Sequence, residues 1–149
     1  MLPAGASSIF FNVSHSGDYA LVALSDSVEV GIDIEQIRVD CPIDDLARRY
    51  YSAGEHQRLR KLSPAARLRD FYRLWTIKES VLKCAGLGLS VPPAVVDVRL
   101  ADEADPQIHS LDADRAFLEQ ISVRELAMAE GYAATVATES RAQIQLNII

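Results

Sequence analysis

The sequence has little cysteine: Cys41 and Cys84 are the two in 149 residues. Two thiols set far apart make neither a disulfide framework nor a metal-type spacing, so they read as free thiols of a cytoplasmic protein. No apolar run approaches the roughly 18 residues of a transmembrane helix. No Lys or Arg precedes Arg38, so the start lacks the positive region of a secretory signal, and none is expected. A basic excess is also missing. The 15 Lys+Arg stand against 21 Asp+Glu, a net charge of -6, which argues against a general nucleic-acid binder. Repeats, low-complexity tracts and linkers are absent, so residues 1–149 read as one domain. What is there is ordinary for a soluble globular chain: 49% apolar and 24% charged residues.

Charge is unevenly placed. Residues 1–37 hold 5 acids and no Lys or Arg, residues 48–83 hold 10 Lys+Arg against 3 acids, and residues 84–149 hold 10 acids and 4 bases. The basic middle is either a solvated face of helices or a surface for phosphates or an acidic partner.

The hydrophobic pattern predicts an α+β fold: an antiparallel sheet with a long helix packed on it. Ile9 to Val13, Tyr19 to Leu24 and Val28 to Ile34 read as three short strands, joined at Gly17-Asp18 and Ser25-Asp26-Ser27. Their short connections predict an antiparallel meander. Ile43 to Tyr51 and Ala53 to Leu62 read as short helices. A stronger helix starts at Ser63-Pro64, with serine as N-cap and proline at the first helical position, and stops at Gly86. Val95 to Leu100, Ser110 to Leu111, Ile121 to Leu126 and Tyr132 to Thr138 read as further strands.

Candidate chemistry gathers at three places. Asp33 and Glu35 alternate on one strand face, so both carboxylates can serve one cation, although exposed acids on a strand are commonly just solvated. Gly31 precedes them on that face, where a strand glycine marks close approach of a ligand or another backbone. Glu79 and Lys83 are four apart on the long helix, the spacing of an ordinary surface pair. A third carboxylate near Asp33 and Glu35 would nevertheless complete an oxygen-rich Mg²⁺ site, with the lysine free to neutralise a phosphate. Ser14 and His15 follow an apolar strand. Neighbours on an extended chain point to opposite faces, which argues against a Ser-His dyad. His15 is then either a packed histidine or a phosphate contact.

Three segments in order, FNVSHSGDYALVAL (Phe11 to Leu24), VGIDIE (Val30 to Glu35) and WTIKESVLKCAGLGLS (Trp75 to Ser90), resemble the signature motifs of the 4′-phosphopantetheinyl transferases of the larger, Sfp-like class. The resemblance implies a transferase for which coenzyme A is a substrate. Its phosphopantetheine arm passes to a serine of an apo acyl or peptidyl carrier protein, and adenosine 3′,5′-bisphosphate leaves. By the same resemblance Asp33, Glu35 and Glu79 match ligands of Mg²⁺, with Mn²⁺ as a substitute. Glu79 also matches a base for the serine hydroxyl, and Lys83 a catalytic and cofactor-binding residue facing the pyrophosphate. Ser14 and His15 match contacts to coenzyme A phosphates. Trp75 is assigned to core packing, and Lys78 belongs to the motif without an assigned role.

The larger class is built from two similar halves. The motifs here fall in the second, so the expectation is a catalytic C-terminal half with the first half absent. The apolar segments Ile9 to Val13 and Leu21 to Leu24 would then lie exposed and favour a homo-oligomer. A non-catalytic remnant that keeps the fold and a Mg²⁺-dependent phosphoester hydrolase remain as competing readings. No nucleic acid or membrane is expected as a partner.

Overall fold

The computed structural model describes residues 9–100 and 105–139. The opening segment from Met1 lies outside them, and with it the expectation built on where the chain starts. The α+β class is borne out. β1 (Phe10–Ser16) and β2 (Tyr19–Ser25) form an antiparallel hairpin. Its turn needs a left-handed residue, supplied by Gly17 at φ +55°. β3 (Val30–Gln36) does not continue this as a meander. It pairs antiparallel with β7 (Tyr132–Thr138), which pairs in turn with β6 (Ser122–Glu125), giving the sheet order β3-β7-β6. β4 (Val96–Arg99) and β5 (Gln107–Ser110) form a separate hairpin.

The meander fails for a specific reason. Side chains of β1, not its backbone, take the amides of β3. Ile32 N–H donates to Asn12 Oδ1 (2.9 Å), Ile34 N–H to Ser14 Oγ (3.2 Å) and Gln36 N–H to Ser16 Oγ (3.0 Å). Period two places Asn12, Ser14 and Ser16 on one side of β1, matched to alternate amides of β3. This satisfies the amides along the second edge of β3 without a ladder.

Among the described residues, the opposite side of the hairpin stays largely uncovered. Phe11 lies across from Leu24 and Val13 across from Val22, and all four are 48–69% exposed. Exposure of both apolar segments agrees with the sequence-based expectation, and His15 shares this outward side.

α1 (Ile43–Tyr50) and α2 (Ala53–Arg60) lead to α3 (Pro64–Cys84). Ser52 caps α2 in a capping box with Glu55, and Ser63 caps α3 by accepting from Ala66 N–H, as its Ser-Pro start predicts. α3 crosses β3 and β7, and Phe71, Leu74, Ile77, Val81 and Leu82 fill the core with Leu59, Val96, Val98 and Val123. The contact with β3 is backbone on backbone. A Cβ on Gly31 would stand 2.0 Å from the Ser80 carbonyl oxygen and 2.5 Å from Cys84 N. The strand glycine therefore marks another backbone rather than a ligand.

The basic middle is partly spent inside the protein. Arg58 donates to Val98 O, Arg67 to Leu59 O and Arg60 O, and Arg73 grips Glu125 through two bonds. Lys78 is the extreme case. Its side chain is fully buried, 2.7 Å from the equally buried Glu55, and it also donates to the carbonyls of Pro93 and Val96. Glu55 accepts in addition from Ser52 N–H and Val98 N–H. One ion pair thus ties α2, α3 and the start of β4 together. Burial pulls the Lys78 ammonium below its ordinary value, and Glu55 opposes that pull.

Removing one member of a buried pair strands the other charge. Lys78→Met should therefore cost about 3 to 5 kcal/mol, read as a lower urea midpoint. An unchanged midpoint would contradict this role for the pair.

Candidate functional site

The close approach at Gly31 sets the site. With the two backbones nearly touching, the next residues on that face of β3 meet the side chains of α3. Lys83 Nζ donates to Asp33 Oδ1 (2.7 Å) and to the Ile32 carbonyl (3.0 Å). Glu79, one turn earlier, lies half-buried near enough for its charge and those of Asp33 and Glu35 to act on one another. Ser14 Oγ donates to the same Asp33 oxygen (3.0 Å), and Ser16 Oγ donates to Glu35 Oε2 (3.1 Å). Three carboxylates from two distant segments thus gather around one lysine.

The cluster is electrostatically strained. Burial raises the Asp33 pKa, and the Lys83 ammonium and the Ser14 hydroxyl only partly offset it. Burial and then the Asp33 charge raise Glu35, against Ser16, Lys83 and the Trp75 indole. Burial and then the Asp33 charge also raise Glu79. One ammonium does not neutralise three acids. Asp33 Oδ2 is buried and accepts no hydrogen bond, a costly state for a carboxylate oxygen.

A divalent cation fits this donor chemistry: all oxygen, negative in excess and with one buried oxygen unsatisfied. Asp33, Glu35 and Glu79 are the residues that would hold it. The expectation that they meet at one point holds only as proximity. Among the described residues no three such side chains stand in ready-made coordinating geometry.

Other expected residues divide. Ser14 is buried and bonds Asp33 and Ile34, so its hydroxyl faces the acids. His15 is exposed on the opposite side of β1 and does not join the cluster, as strand alternation requires. Trp75 stacks on Phe71 with ring centroids 6.3 Å apart, as a core residue should, yet it stays partly exposed and its indole acts on Glu35. Asn12 and Ser16 were not singled out from the sequence. Their signal was the alternation Asn12-Ser14-Ser16 along one strand.

With this geometry in view, comparison with known proteins is specific. The family described as "4'-phosphopantetheinyl transferase superfamily" matches residues 29–137. A 4'-phosphopantetheinyl transferase of Bacillus subtilis is 40% identical over 102 residues, covering 68% of this chain and 44% of the relative. The transferase AcpT of Escherichia coli K12 is 44% identical over 78 residues, 52% of this chain and 40% of the relative. Among solved structures, the Thermotoga maritima holo-[acyl-carrier-protein] synthase superposes with TM-score 0.57 at 19% identity, covering 76% of this chain and 65% of that one. The Helicobacter pylori synthase, solved with coenzyme A, gives 0.54 at 17%, covering 72% and 96%. At such identities the likeness is one of fold. The chain belongs to the 4'-phosphopantetheinyl transferase superfamily, and it spans under half the length of these two curated relatives.

The strain predicts a pH signature. An acid whose folded pKa is raised destabilises the fold once pH passes its unfolded value, ordinarily 4.5 for Glu79, and fully so above the raised value. Glu79→Gln removes that penalty. The variant should match the wild type in acid and melt at a higher temperature near neutral pH. A lower melting temperature at neutral pH would make Glu79 a structural residue.

Proposed function

We propose that this chain carries the catalytic centre of a phosphopantetheinyl transferase. It moves the 4′-phosphopantetheine arm of coenzyme A to a serine of an apo acyl or peptidyl carrier protein in the cytoplasm. The observation that carries the reading is the gathering of Asp33, Glu35, Glu79 and Lys83 from distant segments into one strained cluster. Such strain is a common mark of a functional site.

The chain's own groups map onto the reaction. The serine oxygen attacks the β-phosphorus, the bond to the bridging oxygen breaks, and adenosine 3′,5′-bisphosphate leaves with that electron pair. Glu79 takes the serine proton. Lys83 offers its ammonium to the pyrophosphate oxygens, and Ser14 holds Asp33 in place. Mg²⁺ or Mn²⁺ held by Asp33, Glu35 and Glu79 would stabilise negative charge on the phosphate oxygens. The exposed Arg48, Arg49, Arg60, Lys61 and Arg69 of the basic middle are available to an acidic carrier protein.

The test is direct. The chain is incubated with Mg²⁺, coenzyme A and a panel of apo carrier proteins, and the carriers are weighed by mass spectrometry. The phosphopantetheine adduct should appear with the wild type and fall by at least about a hundredfold with Glu79→Gln. Release of phosphate from phosphoesters without any adduct would favour the hydrolase reading instead.

We also propose that the side of the β1-β2 hairpin left uncovered among the described residues is covered in solution by a second copy of the chain. The facing pairs Phe11-Leu24 and Val13-Val22 form a contiguous apolar surface of the kind that soluble monomers rarely leave open. The holo-synthase neighbour matched over 96% of its length has this one fold unit per chain. Light scattering should show a dimer or trimer for the wild type and a monomer for Leu24→Glu. A wild-type monomer would overturn this.

A further inference from the structure

We propose that Ser16 is a positioning residue, fixing the Glu35 carboxylate for the cation. Ser14 does the same for Asp33. This rests on the reading of Asp33, Glu35 and Glu79 as the cation site.

Each hydroxyl does two things through one oxygen. Ser16 Oγ accepts from Gln36 N–H at 3.0 Å and donates to Glu35 Oε2 at 3.1 Å. Ser14 Oγ accepts from Ile34 N–H at 3.2 Å and donates to Asp33 Oδ1 at 3.0 Å. A serine has a single proton to give, and in both cases it is committed to a carboxylate. The amide that enters the same oxygen polarises the hydroxyl and strengthens the outgoing bond. In each pair the amide belongs to the residue just after the acid. β3 thus supplies both the carboxylate and the amide that orients the hydroxyl bonded to it.

Asn12 shows that docking alone does not explain the two serines. It occupies the same row of β1 and accepts from Ile32 N–H at 2.9 Å. The residue before Ile32 is Gly31, which has no side chain to aim. Where the facing position carries an acid, β1 carries a hydroxyl. Where it carries none, an amide side chain suffices.

The two roles separate in a binding experiment. Mn²⁺ is titrated into the full chain, and the free-ion signal is followed by electron paramagnetic resonance. Circular dichroism melts are run in parallel. Ser16→Ala should weaken Mn²⁺ binding about tenfold. Ser16→Thr, which keeps the hydroxyl on a strand-compatible side chain, should stay within about threefold of the wild type. Asn12→Ala, which removes only docking, should lower the melting temperature and leave Mn²⁺ affinity within the same limit. Equal affinity in Ser16→Ala and wild type would overturn the proposal alone. So would a loss in Asn12→Ala as large as that in Ser16→Ala, because docking would then explain both. No Mn²⁺ binding by the wild type would overturn the cation-site reading and this proposal with it.

Discussion

The contact on which the structure depends is the one between the backbones of β3 and α3 at Gly31. No side chain fits there, since even a Cβ would overlap the Ser80 carbonyl. That proximity brings the acids of β3 under the exposed edge of the helix, where Glu79 and Lys83 project. A larger residue at position 31 would push strand and helix apart and disperse the cluster. The glycine is thus a packing device with a chemical consequence.

Two restraints hold this arrangement from either side. On the helix side, the buried Lys78–Glu55 pair anchors α3 to α2 and the start of β4. Lys78 and Glu79 are adjacent, so locking the first inward fixes the second outward toward the acids. On the strand side, Asn12, Ser14 and Ser16 bind β1 to the amides of β3. The same row of side chains satisfies a strand edge and reaches two carboxylates. The fold spends stability on repulsion among Asp33, Glu35 and Glu79, and the hydrophobic core along α3 supplies it.

Much of this was legible locally. The Ser63 cap, the span of α3 and the bounds of β7 follow from capping and periodicity. The resemblance of three motifs named the family and pointed to Asp33, Glu35, Glu79 and Lys83. What was not legible is non-local or runs against type. Nothing near Val30–Gln36 tells that β3 leaves the hairpin to pair with a strand almost a hundred residues later. A lysine in a basic helix reads as exposed, so the burial of Lys78 is visible only once Glu55 is opposite it. Ser16 has no assigned role in the sequence, because its role depends on the facing carboxylate of Glu35. His15 sits beside Ser14 in the motif, yet alternation alone separates the two.

On the proposed function, the strained carboxylate cluster receives a divalent cation. A ligand that binds only the folded state stabilises it in proportion to the logarithm of its concentration above the dissociation constant. The most direct measurement is the melting temperature of the wild type and of Asp33→Asn across a Mg²⁺ titration at constant ionic strength. A steady rise is expected for the wild type and a flat line for Asp33→Asn. A wild-type melting temperature that does not respond to Mg²⁺, or one that rises equally in Asp33→Asn, would contradict it.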